Sequence, residues 1–303
     1  MTKHQLIFLA GSIILGSFIS SPSNAQQSEA VTYKVFYDAL SPFGKWINDP
    51  VNKYVWVPNV EKGFRPYFTN GSWKMTSYGS TWISNYSWGW APFHYGRWIF
   101  DSLYGWVWIP GLDWGPAWVV WRTNGDDYGW TPLTPGFNIS QSFSPNYYVP
   151  ADWWVYVPKK WLLNNAFQTH ASYNAKNNAD MLNHTHVINN IYTANNTNYI
   201  SGPRAEEFSR AINSPVTVYS IKYDAKPGKT LVGSDQVTLY APAMKKWESG
   251  QEPKPANSVA SEHTLGKLSA LSSRSTGSVT AAKPQVKKKI KPKNTAIKKP
   301  KTN

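Results

Sequence analysis

The chain reads Gly96-Arg97-Trp98 and then, after Asp101-Ser102, Tyr104-Gly105-Trp106-Val107-Trp108-Ile109. A close copy precedes it as Gly71-Ser72-Trp73 with Tyr78-Gly79-Ser80-Thr81-Trp82-Ile83, and a looser one as Gly44-Lys45-Trp46 with Tyr54-Val55-Trp56-Val57. Trp56, Trp82 and Trp108 are therefore 26 residues apart. Repetition at a fixed period is typical of a chain built from successive copies of one supersecondary unit.

Each copy has the sequence signals of a β-hairpin. Short aromatic and β-branched runs such as 106–109 are bounded by Gly, Pro, Asn and Asp. The two marker tryptophans of a copy, for example Trp98 and Trp108, are nine or ten residues apart, which suits paired strands with both rings on one side. We predict a mainly β fold of three to four repeated antiparallel hairpins, a meander that is closed or sandwiched, over residues 33–135.

The composition changes after this region. Residues 136–200 contain one strand-like run at 152–158 and an Asn-rich stretch whose best strand is 187–192, and we expect them to pack on the repeats. Residues 201–245 show a helix start at Ser201-Gly202-Pro203 and strands at 216–221 and 236–240, which predicts a small α+β unit. Residues 249–303 have no aromatic residue and many Lys, Pro and Ala, so we predict a disordered tail.

The amino terminus predicts export. Residues 1–25 combine a short basic start, an apolar run and a small-residue cleavage site at Ser23-Asn24-Ala25, as in a signal peptide. No later apolar stretch approaches the ~20 residues of a membrane-spanning helix. The chain has no cysteine, so disulfides cannot stabilise it. We expect a periplasmic or extracellular protein, peripheral to the envelope and without a transmembrane span after cleavage.

Most of the net charge of +14 lies in the tail. Residues 26–150 hold eight basic and eight acidic side chains, whereas residues 251–303 hold twelve basic and two acidic ones, a net charge of +10. Such a tail binds polyanions without sequence specificity. Export favours lipid phosphates or anionic wall polymers over any specific nucleic acid, and a solubilising extension is the alternative. The cationic cluster comprises Lys287, Lys288, Lys289, Lys291 and Lys293.

A longer set of motifs resembles the DUF6600 family of exported bacterial proteins. It runs from Trp88-Gly89-Trp90-Ala91-Pro92-Phe93-His94-Tyr95-Gly96-Arg97-Trp98 through Trp114-Gly115-Pro116-Ala117-Trp118 and Tyr128-Gly129-Trp130. Weaker matches extend over most of residues 33–245. The resemblance implies a bacterial envelope protein and no assigned activity. It does not account for the Lys-rich tail.

Thirteen of the seventeen tryptophans lie between Trp46 and Trp130, and two interpretations are open. Most of the rings form the core, or some form exposed platforms that stack on sugar faces. Rings near turns are the best candidates for exposure. With the polar residues embedded in the motifs, the candidate ligand-binding set is Trp88, Trp90, His94, Arg97, Trp114, Trp118 and Arg122.

Catalysis would need two carboxylates at a defined distance, and Asp101 and Asp113 are the weak candidates. Both also lie in turns, where Asp commonly accepts hydrogen bonds from its own backbone. His184-Thr185-His186 would place two imidazoles on one strand face, but without a Cys or acidic partner nearby we expect no metal and no cofactor.

These features together predict a non-enzymatic envelope protein that binds a glycan, such as peptidoglycan or lipopolysaccharide, or another envelope protein, through exposed aromatic rings. The alternatives are a cell-wall glycan hydrolase, which would show a cleft with two carboxylates flanked by Trp, and a purely structural scaffold, which would show a flat aromatic patch.

Overall fold

A computed structural model describes residues 32–137, 139–142, 149–194, 197–246 and 253–265. The predicted signal peptide and the Lys cluster lie outside these residues. The helices are α1 Lys34–Leu40, α2 Ile139–Ser142, α3 Ala175–His184 and α4 Ala205–Ile212. The strands are β1 Gly44–Asp49, β2 Lys53–Pro58, β3 Gly71–Thr76, β4 Gly79–Ser84, β5 Arg97–Asp101, β6 Gly105–Ile109, β7 Val119–Thr123, β8 Asp127–Pro132, β9 Val155–Pro158, β10 His186–Ile188, β11 Ile191–Ala194, β12 Thr197–Ile200, β13 Ser220–Asp224, β14 Leu231–Val232, β15 Gln236–Tyr240 and β16 Ser258–Ala260.

Four antiparallel hairpins form the aromatic half of the chain: β1–β2, β3–β4, β5–β6 and β7–β8. Each carries two tryptophans directly opposite one another across its strands. All eight indoles are at most 1% exposed. The mainly β class and the prediction that both marker rings face one side are therefore confirmed. The four pairs are Trp46–Trp56, Trp73–Trp82, Trp98–Trp108 and Trp121–Trp130.

The Gly-x-Trp motif that opens three of the hairpins has a steric cause. A Cβ on Gly44 or Gly96 would lie 2.3 or 2.1 Å from a carbonyl oxygen of the opposite strand, and one on Gly71 would lie 2.4 Å from the indole of Trp82. No side chain fits at such distances, so the indole of the second tryptophan lies against bare backbone. The motif therefore marks the register of each hairpin.

Consecutive hairpins do not pair with each other in a sheet, so the predicted meander is wrong in its order. The first and third hairpins join in a five-stranded sheet of order β16-β1-β2-β6-β5, in which Trp56 pairs with Trp108. The second hairpin stands as its own two-stranded sheet, and the Trp73 ring lies 4.7 and 5.6 Å from those of Trp121 and Trp130 in the fourth. None of the sheets described is closed. The twelve-residue link between β4 and β5 is long enough to let the chain cross from one aromatic layer to the other.

The region after the hairpins extends the fourth one into a sheet of order β10-β7-β8-β9. The Asn-rich stretch, predicted as extended chain and loop, contains the helix α3, whose N-cap Asn174 accepts a hydrogen bond from the Asn177 N–H. Helix α4 rests on the fourth hairpin, where Phe208 stacks on Tyr128 with 6.0 Å between ring centroids. β13 pairs with β15 in parallel. These strands are therefore not the two arms of a hairpin.

The segment 253–265 corrects the predicted boundary of the tail. It lies inside the span expected to be disordered, yet β16 pairs in parallel with β1 and Leu265 is 1% exposed. Its low aromatic content hid this docking, because the segment docks through backbone pairing with β1 and through the side chains of His263 and Leu265. The remainder of the tail, from residue 266, lies outside the described residues.

Among the described residues no helix is both long enough and apolar enough to span a membrane.

Candidate ligand groove

The four tryptophans predicted to be exposed are buried. Trp88, Trp90, Trp114 and Trp118 are 4, 1, 9 and 3% exposed, so the expectation of an indole platform at these positions is wrong. The links that carry them fold between the hairpins instead of over the surface. Trp88, for example, lies 5.0 Å from Trp56 and stacks on its neighbour Tyr86 at 4.3 Å. The interpretation that most rings form the core is confirmed.

The two candidate arginines hold the fold together. The guanidinium of Arg97 lies 3.6 Å from the centre of the Trp118 ring and donates a hydrogen bond of 2.7 Å to the Gly96 carbonyl. Arg122 Nε donates to Thr185 Oγ1 at 2.9 Å, and its Nη2 donates to the Leu182 carbonyl at 3.0 Å. Arg122 thus fixes the end of α3 against β7. Both contacts are structural.

His94 is fully buried beside Trp114, with which it stacks at 5.7 Å. Its Nδ1 is 3.0 Å from the Gly115 carbonyl and donates to it, whereas its Nε2 has no hydrogen-bond partner among the described residues. Burial disfavours the imidazolium and lowers the pKa of His94 to about 4 from its ordinary value of 6.5. The ring is therefore a neutral part of the core.

We expect this histidine to make the protein less stable in mild acid. Between pH 6.5 and about 4 the unfolded chain binds a proton at His94 that the folded chain does not, so stability falls as the pH drops through that window and levels off below it. Across the whole window the free energy of unfolding falls by about 3 kcal/mol. Urea unfolding of the wild type and of His94→Asn at several pH values measures it. If the two proteins lose stability in parallel, His94 is not the cause.

The candidate carboxylates Asp101 and Asp113 do not form a pair. Asp101 ends β5 at the turn of the third hairpin, whereas Asp113 lies beyond the other end of β6. Strand β6 alone spans about 13 Å, more than the roughly 5 to 9.5 Å between the carboxylates of glycosidases. The structure therefore does not bring this catalytic pair together.

Asp101 instead organises its turn. It is 5% exposed and accepts hydrogen bonds from the N–H groups of Leu103 and Tyr104, at 2.9 and 3.0 Å, and from His263 Nε2 at 2.7 Å. Burial raises the pKa of the Asp101 carboxyl, but the three hydrogen bonds outweigh burial and leave that pKa below its ordinary value. Asp101 is thus a charged anchor for the turn and for the segment that carries His263.

The two imidazoles considered as a metal half-site lie on different elements. His184 ends α3 and His186 begins β10, so the prediction that they share a strand face is wrong. A helix boundary between them turns the chain. In the part of the chain that the structure describes, no three His, Asp or Glu side chains are grouped closely enough to hold a metal ion.

A groove of about 310 Å³ opens where the aromatic layer of the third hairpin reaches solvent. One wall is the 58–65 loop with Glu61, Lys62 and Arg65, and the other is formed by Phe100, Tyr104 and Trp106. The Tyr86 hydroxyl donates to both oxygens of Glu61, at 3.1 and 3.2 Å, and Arg65 donates to the Asp152 carbonyl. Lys62 is exposed at the rim. The groove therefore combines aromatic faces with ionic side chains. Two of these side chains, Glu61 and Arg65, are held in place by hydrogen bonds.

Strand alternation explains why the rings of Phe100 and Trp106 lie at the groove. Phe100 and Trp106 are directly opposite one another, each two residues from the buried Trp98–Trp108 pair, and so lie on the same face of the hairpin but nearer its turn. The Trp106 indole is 7% exposed beneath Phe100, which is 45% exposed. The prediction of exposed aromatic rings missed Phe100, because its position two residues after Trp98 indicates the face that it shares with that buried ring and not that this end of the hairpin is open to solvent.

A second cleft lies between β8, β9 and α3. It measures about 620 Å³ and is lined by Asp127 and Asp180 together with Lys176 and Asn177. His170, also in its wall, stacks on Trp161 with 3.7 Å between ring centroids. Two carboxylates thus share one cleft near a tryptophan.

Comparison with known proteins places part of the chain in a family. Residues 37–137, which contain all four hairpins, match a family model described as a family of unknown function, DUF6600. No protein of curated function and no solved structure matches the chain.

Proposed function

We propose a function from the protein's own surface, since residues 37–137 match the DUF6600 family and that family has no known function. The protein is a non-enzymatic bacterial envelope protein that binds a glycan in the groove between the 58–65 loop and the third hairpin. The observation that carries this proposal is the exposed ring of Phe100 beside the ionic rim of that groove.

The chemistry of the groove suits a sugar. A pyranose has an apolar C–H face, which packs against an aromatic ring, and a rim of hydroxyls, which bonds to carboxylate and guanidinium groups. Glu61 accepts hydrogen bonds, Lys62 and Arg65 donate them, and Phe100 offers the ring face. The volume lies at the lower end of the range for small-molecule sites, which fits a short stretch of a polymer. An uncharged apolar ligand would leave the three ionic groups without a function.

Export and the basic tail support the envelope as the location. The amino-terminal sequence has the pattern of a secretory signal, and the cluster from Lys287 to Lys293 would attract anionic lipid headgroups or wall polymers. In this proposal the tail increases the concentration of the protein near an anionic surface, and the groove selects the ligand.

We expect Phe100→Ala to reduce retention on purified peptidoglycan sacculi roughly tenfold, as for the loss of about 1.4 kcal/mol of aromatic contact. Retention is measured by co-sedimentation at about 150 mM salt, so that nonspecific attraction is screened. The matched control is Leu103→Ala, which removes a side chain that is 54% exposed in the same turn but does not line the groove. Lipopolysaccharide replaces sacculi in a parallel series.

The same assay separates groove from tail. A variant that ends at Leu265 should keep the retention that depends on Phe100. It should lose only the part of the binding that added salt abolishes. If Phe100→Ala binds as well as Leu103→Ala, or if removal of residues 266–303 abolishes all binding, the groove is not the glycan site.

The hydrolase alternative rests on the second cleft. Asp127 and Asp180 share it, and Trp161 lies beside it behind His170. A hydrolase would release new reducing ends from the sacculi, and Asp127→Asn would abolish that release. Binding without release favours the non-enzymatic protein.

The scaffold alternative would be favoured if the wild type bound neither polymer. The exposed apolar side chains Val218, Tyr223, Leu231 and Val232 on and near β13 and β14 would then be the surface to test with protein partners.

A further inference from the structure

The segment 253–265 ties the turns of the first and third hairpins together. β16 pairs in parallel with β1, and beyond it the Ser261 N–H donates to the Asn48 carbonyl at 3.1 Å. The Leu265 N–H donates to Asp49 Oδ2 at 3.0 Å, and the Leu265 side chain is buried. Asp49 also accepts the N–H groups of its own turn through Oδ1. One carboxylate thus anchors both a hairpin turn and the carboxyl-terminal segment.

The third hairpin is held in the same way. Asp101 binds its own turn through Oδ1 and accepts His263 Nε2 through Oδ2 at 2.7 Å. The imidazole of His263 stacks on Tyr104, with ring centroids 5.7 Å apart and planes 8° apart. The Glu262 N–H donates to the Tyr104 hydroxyl at 3.1 Å. Tyr104 is therefore held at its ring by one residue of the segment and at its hydroxyl by another.

Tyr104 also lines the groove. It follows Leu103, which is 54% exposed, in the turn of the hairpin and is itself only partly buried against the core. A side chain in such a turn samples several rotamers unless another element fixes it, and a ligand must then bear the entropy of ordering it. The carboxyl-terminal segment is the element that supplies this order.

We propose that residues 258–265 form a strap that orients Tyr104 toward the groove, with His263 as the positioning residue. The inference rests on the proposed glycan function of the groove. It makes the ligand site depend on two distant parts of the chain, since residues 258–265 hold in place a wall that the third hairpin builds. The strap acts by preorganisation, and His263 itself does not contact the ligand.

The test uses three variants of the full-length mature protein. His263→Ala removes both the hydrogen bond and the stacked ring, His263→Phe keeps a ring over Tyr104 and removes the hydrogen bond, and Thr264→Ala is the matched control at an exposed neighbour. The first readout is amide hydrogen exchange at Ser261, Glu262 and Leu265, whose N–H groups the strap protects. The second is retention on peptidoglycan sacculi under the same salt conditions as for Phe100→Ala.

In His263→Ala we expect exchange at the three amides to rise about tenfold. Retention on sacculi should fall about fivefold, the factor that corresponds to about 1 kcal/mol. His263→Phe should recover more than half of the retention that His263→Ala loses, because the stacked ring still limits the rotamers of Tyr104. Thr264→Ala should match the wild type in both measurements, and the urea midpoint should change little in all three variants.

The two readouts distinguish the strap from the glycan proposal. Unchanged exchange in His263→Ala overturns the strap. Raised exchange with unchanged retention shows that the strap is structural and overturns the positioning role, while the glycan function stands. If the wild type is not retained at all, the glycan function fails and the positioning role fails with it, and raised exchange then shows only that His263 secures the segment.

Discussion

Replacing Trp108 by Ala is expected to lower the free energy of unfolding by about 4 kcal/mol. The indole is fully buried, directly opposite both Trp98 and Trp56, and edge-on to Phe36 at 5.2 Å. Its Nε1 donates to the Tyr95 carbonyl at 2.7 Å, so truncation also leaves that buried acceptor without its partner. The cavity would lie where the first and third hairpins join.

Urea unfolding followed by circular dichroism measures this loss. Trp161→Ala is the control, because that indole is partly exposed and stacks on a surface histidine. It should cost about 1 kcal/mol. If Trp108→Ala costs no more than Trp161→Ala, the paired indoles are not the centre of the core.

The second large effect is expected at a glycine. Gly96→Ala should destabilise the protein by roughly 4 kcal/mol, the sum of backbone strain and overpacking. Gly96 has a φ of +62°, which a residue with a side chain rarely adopts. A Cβ there would also lie 2.1 Å from the Ile109 carbonyl oxygen and 2.9 Å from the Gly111 nitrogen, and both are backbone atoms that cannot turn away.

Gly105→Ala separates the two contributions. Gly105 also has a positive φ, of +74°, but a Cβ at this position would have open space around it, with no neighbouring atom within 4 Å. That variant should lose only the backbone component, about 1 kcal/mol. If the two variants lose equal free energy of unfolding, the close contact of the Gly96 position with the opposite strand does not contribute to the loss.

These two predictions concern the packing of the indole core, on which the fold depends most. The chain has no disulfide, and its core is built from indoles that interlock in pairs across strands. Each ring buries a large area, and a buried Nε1 is more stable with an acceptor. Trp56, Trp108 and Trp130 donate to the backbone at Leu40, Tyr95 and Tyr67, whereas Trp46, Trp73, Trp82 and Trp121 have no Nε1 partner among the described residues. At Tyr67 and Tyr95 the links between hairpins therefore supply hydrogen-bond acceptors as well as connections.

The sequence predicted the candidate site less well than it predicted the hairpins. Trp88 and Trp114 are near turns, which favoured exposure, but their links run between two aromatic layers. Phe100, in contrast, looked like one more core position of a strand, and its place at the open end of the layer exposes it. Exposure is a property of the assembled layers, and local pattern cannot report it.

The sequence by itself indicated the repeated hairpins and the side on which each tryptophan pair lies, because these features depend on contacts within about ten residues and, in three of the hairpins, on the room that Gly-x-Trp leaves for an indole. The tertiary structure alone decided that the first hairpin joins the third and that Phe100 meets solvent. It also decided that the carboxyl-terminal segment reaches Asp49 from 216 residues away. Such pairings arise when layers pack over long separations, and no local spacing in the chain encodes them.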